Sequence, residues 1–144
     1  METLINDKVV VTARIENFGD WYHMQQGLLS ADLVRGIEVT DALVDIGAST
    51  LSMPKRLIAQ LGLIPLRPRT ARTAGGIVNL QTYGGAYLTV QDRVCTCDVT
   101  EIADNLPVLI GQIALEGLDL VVDTKGRRLI GNPEHGGEHV MEIY

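Results

Sequence analysis

The chain has 144 residues, of which 46% are hydrophobic and only 4% aromatic, and its formal net charge is −6 at pH 7. This length fits one domain whose core is filled by Val, Leu, Ile and Ala. The acidic balance argues against a general nucleic-acid-binding protein, which needs a basic surface, and the clustered Arg67, Arg69 and Arg72 are interpreted as a solvated loop.

No segment has the apolar length that spans a bilayer, and the first eight residues lack the apolar centre of a signal peptide. Cytoplasmic residence is therefore the default expectation.

The N-terminal third alternates strand-like runs with turn residues, and fifteen glycines along the chain indicate a mostly β layout with many turns. Lys8–Glu16 is rich in β-branched residues and predicts a strand, and Asn17–Asp20 predicts a turn. Trp21–Leu29 is ambiguous and could pair back as a second strand. Leu33–Thr40 alternates apolar and charged residues, which predicts a half-buried strand leading into Ala42–Asp45.

The most informative motif lies within Leu43–Leu51. Its apolar run ends at Asp45, and Gly47 follows two residues later. This pattern places a carboxylate on a loop at the exit of a strand, where backbone amides come close and where catalytic side chains tend to lie. A simple turn is the alternative, because Asp and Gly are common turn residues.

A short helix is predicted after this motif, over Ser52–Leu61. Ser52 is a candidate N-cap, Pro54 fits the first turn, and Gly62 fits the C-terminal stop. Such a helix would pin the loop that carries Asp45 against the sheet.

The middle of the chain predicts a hairpin followed by two longer strands. Thr73–Gln81 holds a pair of glycines between strand-like residues, which is typical of a hairpin. A plain surface hairpin and a flap over a substrate both fit this pattern. Tyr83–Val90 and Arg93–Ile102 predict strands, separated by a turn at Gln91-Asp92.

The C-terminal third predicts further short elements. Leu106–Gly111 predicts a strand, Gln112–Gly117 is compatible with a short helix, and Leu118–Asp123 predicts an apolar strand that ends in an acid. Asp123–Gly126 predicts a tight turn into Arg127–Ile130. Asp123 is therefore interpreted as a hairpin residue and not as a second catalytic acid. We expect residues 1–130 to form one domain and residues 131–144 to form a polar tail, whose end could add a strand at a subunit contact.

Two pairs of residues have spacings that metal ligands can show. Cys95 and Cys97 share one face of a predicted strand, which suits a metal but orients them badly for a mutual disulfide; we interpret them as half-buried thiols. His135 and His139 have the spacing that binds zinc on a helix, but the two glycines between them make a helix doubtful. We therefore expect no metal.

The flanks of Asp45 resemble the active-site segment of the retropepsin-like aspartic proteases, in which two apolar residues precede Asp-Thr/Ser-Gly-Ala. Two further landmarks of that family follow in the right order: a Gly-Gly-Ile flap tip, and an apolar-apolar-Gly segment that packs beneath the catalytic loop and opens a helix. The three matching segments are Leu43–Ala48, Gly75–Ile77 and Leu109–Gly111. The resemblance extends over roughly Ile37 to Ile130.

This resemblance implies a retropepsin-like closed β-barrel, the half-fold of acid proteases, with one or two short helices. It also implies an aspartic endopeptidase that needs no cofactor and binds a peptide or protein substrate in an extended conformation. Asp45 would be catalytic. One chain offers a single such site, so activity requires a homodimer in which two copies of Asp45 share a proton. The residues implied to bind substrate are Gly47, Ala48, Gly75, Gly76 and Ile77.

Three positions depart from the family pattern. Ile46 stands where the family has a Thr or Ser whose hydroxyl ties the two catalytic loops together across the dimer axis. Ser49 and Gln112 replace a charged pair found in many retroviral relatives, and because both charges are missing, neither is left unpaired in the interior. The pattern resembles a divergent, bacterial-type or shuttle-protein-type branch of the family and not a viral processing enzyme. Ile46 favours the alternative function, a catalytically weak or inactive dimerisation or peptide-binding module; an unrelated β-barrel with an accidental motif is the third reading.

Overall fold

A computed structural model describes residues 8–140 of the chain. The strands, in chain order, are β1 (Val10–Asn17), β2 (Gly36–Val44), β3 (Leu51–Pro54), β4 (Ile64–Pro65), β5 (Arg69–Thr73), β6 (Gly76–Leu80), β7 (Thr82–Val90), β8 (Arg93–Ile102), β9 (Leu109–Ile110), β10 (Leu120–Asp123) and β11 (Arg128–Gly131). The α-helices are α1 (Phe18–Gln25), α2 (Lys55–Leu61) and α3 (Gln112–Leu118), and short 3₁₀ helices occur at Ala31–Leu33 and Pro133–His135.

Six strands close into a barrel in the order β1-β2-β9-β3-β8-β7, and pairing between β7 and β1 completes the circle. β4 pairs with β7 at its Gly84 end, while β5–β6 and β10–β11 form two separate hairpins. The predicted fold class, a mostly β protein with a closed barrel and short helices, is therefore confirmed. Within residues 8–140, no helix is long and apolar enough to cross a membrane.

Aliphatic side chains from the strands and from α2 and α3 fill the hydrophobic core, as the low aromatic content predicted. Each large side chain that is fully buried in this way stabilises the fold by about 1.5–3 kcal/mol. The largest of them are Ile15, Leu51, Met53, Leu61, Leu88, Ile110, Leu115 and Leu118.

Helix α1 corrects the sequence prediction of a turn and a possible second strand after β1. The side chain of Asn17 caps the helix by accepting a backbone N–H of its first turn at 2.9 Å, and its amide donates to the carbonyl of Leu61 at 2.9 Å. The ring of Trp21 stacks on Tyr87 of β7, with ring centroids 4.3 Å apart. These partners are 44 and 66 positions along the chain from the residues they contact, so the local pattern does not reveal them.

Helix α2 begins later than predicted. Ser52 is not its N-cap, because Leu51–Pro54 forms strand β3, which lies between β8 and β9 and is buried at every position. Pro54 precedes the helix with extended backbone angles. The predicted stop is confirmed: Gly62 ends the helix with a left-handed φ of 62°, a conformation that costs glycine little.

The strand predicted over Leu118–Asp123 begins only at Leu120. Helix α3 continues to Leu118, and Asp119 ends it in a left-handed conformation with a φ of 54°. Asp119, the acid inside the apolar run, was the sequence signal that the helix ends before the strand begins, since Asp tolerates the left-handed region better than apolar residues do.

Candidate active site

Asp45 directly follows β2, where three short strand segments meet. β9 lies between β2 and β3, parallel to the first and antiparallel to the second, so that Leu109 pairs with Leu43 and Ile110 pairs with Leu51. The N–H of Asp45 donates to the carbonyl of Ile110 at 2.9 Å. The Leu109–Gly111 segment therefore packs against the loop of residues 45–50 and opens α3, as the resemblance implied.

The first turn of α3 holds this loop in place. The N–H of Gln112 donates to the carbonyl of Ala48 at 3.1 Å, and the N–H of Ile113 donates to that of Ser49 at 2.8 Å. The first N–H groups of a helix lack partners within the helix, and here the loop carbonyls satisfy them. Within the loop, the N–H of Ala48 donates to the carbonyl of Asp45 at 3.0 Å. The loop is thus fixed at both ends by backbone hydrogen bonds.

Gly111 is required by this close packing. Its N–H donates to the carbonyl of Thr50 at 2.6 Å, and a Cβ added to it would lie 2.5 Å from that oxygen and 2.6 Å from the carbonyl oxygen of Ala48. Both neighbours are backbone atoms, which cannot rotate away. No residue larger than glycine fits here without moving the loop that carries Asp45.

The Asp-x-Gly spacing has a direct geometric explanation. The N–H of Gly47 donates to Asp45 Oδ1 at 2.9 Å, which orients the carboxylate over its own turn. The Asp45 side chain lies partly exposed at the surface of the single chain. A carboxyl group held in this way can accept a proton from a bound water or donate one to a carbonyl oxygen.

The three departures from the family pattern all lie on the surface of the single chain. The side chain of Ile46 is 66% exposed beside Asp45. Ser49 and Gln112 are also exposed, and no side-chain nitrogen or oxygen buried within residues 8–140 lacks a hydrogen-bond partner. The loss of the charged pair therefore leaves no unsatisfied group in the interior.

The predicted hairpin after residue 73 is confirmed as β5–β6. Thr73 pairs with Gly76 across a two-residue turn, and its hydroxyl donates to the carbonyl of Gly76 at 2.9 Å. Gly75 lies in the turn, and Gly76 adopts a φ of 117°, which favours glycine. Ile77, at the start of β6, is 65% exposed.

The structure places the predicted site residues in two groups. Gly47 and Ala48 share the loop of Asp45, whereas Gly75, Gly76 and Ile77 form the tip of the β5–β6 hairpin. No hydrogen bond within residues 8–140 joins the two groups, so their joint role in binding a substrate stays a prediction.

The thiols and histidines do not assemble a metal site. Cys95 and Cys97 are free and half-buried, as predicted, and the hydrogen bond between the two thiols, together with burial, raises the pKa of Cys97. His135 and His139 do not share a helix, because Gly136 and Gly137 adopt left-handed angles between them. Within the part of the chain that the structure describes, no three His, Cys, Asp or Glu side chains are grouped to hold a metal ion.

A buried carboxylate at the C-terminal end of α3 was missed by sequence reasoning. Asp119 Oδ2 lies 2.7 Å from His135 Nδ1 and accepts the N–H of Val140 at 3.0 Å, while its Oδ1 accepts from the Asn132 amide at 3.3 Å. These hydrogen bonds, that of Val140 foremost, lower the pKa of Asp119 to about 2. The cluster borders a cavity of about 510 Å³ and fastens residues 132–140 to the C-terminal end of α3. The end of the predicted tail, beyond Val140, lies outside the described residues.

The Asp119 cluster predicts a pH-dependent contribution to stability. Because the pKa of Asp119 is lowered on folding, its contribution is full above the ordinary aspartate value of roughly 3.9 and is lost as the pH falls towards about 2. We expect Asp119→Asn to be less stable than the wild type at pH 7, and we expect this difference to shrink between pH 4 and pH 2. Denaturant unfolding at a series of pH values measures it, with Asp123→Asn as the control. A difference that stays constant down to pH 2 would contradict the assignment.

Comparisons with known proteins add a structural similarity but no sequence match. No protein-family model matches the chain, and no curated protein matches it. Among solved structures, the chain is similar to the protease of simian foamy virus (mac), known from a solution structure, with 16% sequence identity and a TM-score of 0.48. The alignment covers 74% of this chain and 91% of the viral protein.

Proposed function

We propose that the chain is an aspartic endopeptidase that acts as a homodimer, with Asp45 from each protomer forming the catalytic pair. The observation that carries this proposal is the setting of Asp45. It is a partly exposed carboxylate on a loop that backbone hydrogen bonds anchor to β9 and to the first turn of α3. Catalysis needs a group placed with this degree of rigidity, because small misplacements are costly.

Two carboxylates are needed because one cannot act as acid and base at the same time. Held close together, they cannot both ionise cheaply, so the pair shares one proton. The ionised member takes a proton from a water as that water attacks the peptide carbonyl, and the protonated member polarises the carbonyl. A proton then passes from the pair to the nitrogen of the leaving amine as the C–N bond breaks. The pKa values that govern the pH profile belong to the pair and not to either residue.

The remaining site residues have roles that fit an extended substrate. Gly47, which has no Cβ, lets the peptide backbone and the partner loop approach Asp45 closely. The exposed tip of the β5–β6 hairpin, at Gly75, Gly76 and Ile77, acts as the flap that covers the substrate. An extended peptide beneath such a hairpin gains affinity by pairing backbone with backbone.

This proposal is tested by cleavage of a denatured protein at acidic to neutral pH, together with sedimentation of the native protein. We expect cleavage that pepstatin, a mimic of the transition state, inhibits, and a dimer at the concentration of the assay. A chain that remains monomeric while it cleaves would overturn the shared site.

The second candidate function is a dimeric peptide-binding module with weak or no catalysis. The exposure of Ile46 favours it, since an apolar side chain beside Asp45 cannot make the hydroxyl hydrogen bond that links the two loops in the resembled family. Such a module would bind the same extended peptide and release it uncut. Peptide binding without cleavage, in a sample shown to be dimeric, would support this candidate.

Ile46→Thr distinguishes the two candidates. The added hydroxyl can tie the two loops together, so we expect a tighter dimer or an increase in kcat/KM of about tenfold, since misplaced catalytic groups cost up to about a hundredfold. Sedimentation and cleavage assays measure the two effects. Val10→Thr, a matched change at an exposed position of β1, is the control. If neither quantity changes, Ile46 does not weaken the dimer or slow catalysis.

A further inference from the structure

The charges of this acidic chain are distributed very unevenly. No Asp or Glu occurs between Ile46 and Gln91, so every acidic residue lies before or after this stretch. The same stretch holds Lys55, Arg56, Arg67, Arg69 and Arg72. A protein of net charge −6 therefore carries one continuous basic segment, which includes the β5–β6 hairpin.

Arg67, Arg69 and Arg72 of this segment are exposed, but the predicted solvated loop is only part of their setting. Arg67 lies in the connector before β5, whereas Arg69 and Arg72 lie in β5 itself. We call residues 67–80 the basic hairpin. Among residues 8–140, Arg67 and Arg72 have no ion-pair partner. Arg69 has only a loose one: its Nη2 lies 3.9 Å from Asp98 Oδ2, and the two side chains are 71% and 46% exposed.

A groove lies between Asp98, the ion-pair partner of Arg69, and Thr50, the last residue of the Asp45 loop. Asp98, Thr50 and Ile113 line this groove, which has a volume of about 440 Å³. The N–H of Ile113 donates to the carbonyl of Ser49 in the Asp45 loop at 2.8 Å. A peptide lying in the groove would thus contact the Asp45 loop at one end and reach Arg69 at the other.

We propose that the basic hairpin selects peptides that carry Asp or Glu near the bond placed at Asp45, an inference that rests on the proposed function. A peptide carboxylate replaces Asp98 as the partner of Arg69, because a pair at 3.9 Å between exposed groups contributes little and exchanges readily. Arg72, three positions along β5, projects from the opposite face of the strand, so it does not contact the same carboxylate and instead strengthens the positive potential around the basic hairpin. Guanidinium groups bind carboxylates with two parallel hydrogen bonds. The basic hairpin should therefore bind peptides with Asp or Glu more tightly than peptides with the corresponding amides.

The rest of the protein favours a peptide over a nucleic acid. A long polyanion would approach surfaces that carry all the acidic residues of the chain and would be repelled by them. A short peptide with one or two acids needs only the basic hairpin.

The test uses two peptides that are identical except for Glu or Gln at the acidic positions. Their dissociation constants are measured by fluorescence anisotropy on the full-length Asp45→Asn protein, and their kcat/KM values are measured on the wild type. We expect the Glu peptide to bind about tenfold more tightly, which corresponds to about 1.4 kcal/mol. We also expect this advantage to fall as salt rises from low to high concentration, because the charges are exposed.

Variants assign the preference to the basic hairpin. The double substitution Arg69→Gln and Arg72→Gln should abolish the Glu preference, whereas Arg127→Gln, at an exposed arginine outside the segment, should leave it intact. Equal binding of the two peptides by the wild type would overturn the inference. Tighter binding of a single-stranded oligonucleotide that is lost in the double variant would overturn it in favour of a nucleic-acid ligand.

The two proposals fail in distinguishable ways. If the Glu peptide binds preferentially but is never cut, the selection of acidic peptides stands and the peptidase fails. If both peptides are cut at the same rate and bound equally, the peptidase stands and the selection of acidic peptides fails.

Discussion

Asp45→Asn is expected to lower kcat/KM for peptide cleavage by at least about 10³-fold, because general acid–base catalysis contributes roughly 10²–10⁴-fold and both functions depend on this residue. An amide has nearly the same shape and can still accept the Gly47 N–H through its oxygen, so the fold should be preserved. A fluorogenic peptide assay measures the loss, and thermal unfolding verifies the fold. Asp123→Asn is the matched control, since Asp123 also ends a β-strand but lies in the β10–β11 hairpin. Cleavage that survives Asp45→Asn unchanged would show that the site is wrongly assigned.

Mixing experiments test whether the two acids come from different chains. If wild-type and Asp45→Asn protomers exchange freely in equal amounts, roughly a quarter of the dimers contain two intact acids. The activity per wild-type chain should then fall to about half of its unmixed value. Activity per wild-type chain that is unaffected by the variant would indicate that each protomer works alone.

Gly111→Ala is expected to have the largest effect on the structure of the site. The new methyl group would lie 2.5–2.6 Å from backbone atoms of the Asp45 loop, so either that loop or the start of α3 must move. Overpacking of this kind costs about 3 kcal/mol, which lowers the melting temperature by roughly 10 °C in a protein of this size. Calorimetry measures this shift, and the cleavage assay measures the accompanying loss of activity.

Gly75→Ala provides the matched control for this change. A Cβ at Gly75 meets only the hydroxyl of Thr73, at 3.8 Å, so the same substitution at the hairpin tip should leave the melting temperature unchanged. A Gly111→Ala protein as stable as the Gly75→Ala protein would contradict the close packing of α3 against the Asp45 loop.

The sequence predicted well those elements whose signals are local. The strands β7 and β8 and the end of α2 at Gly62 follow from alternation or from glycine, and the structure places them within one residue of the prediction. The hairpin predicted over Thr73–Gln81 is present, but its first strand, β5, begins four residues earlier, at Arg69. The Asp-x-Gly motif was also recognisable, because its spacing reflects a hydrogen bond between residues two positions apart.

The elements that were mispredicted depend on distant partners. Segment 18–25 is helical because Asn17 and Trp21 contact α2 and β7, and Ser52 lies in a strand because β8 and β9 flank it. The Asp119–His135 pair likewise joins residues 16 positions apart, across the β10–β11 hairpin. No pattern within a short window carries this information, and only the acid inside the apolar run at Asp119 was a usable signal.

The position of β9 has a consequence for how the protein matures on the ribosome. The carbonyl that anchors the backbone of Asp45 belongs to Ile110, so 65 further residues must be synthesised before the loop can take its final form. Nascent chains and C-terminally truncated fragments that end before Ile110 cannot hold the Asp45 carboxylate in this ordered loop. Pairings of such high sequence separation also slow folding, because the long intervening segment must be closed first. The Asp45 loop is therefore assembled only when nearly all of the barrel has been made.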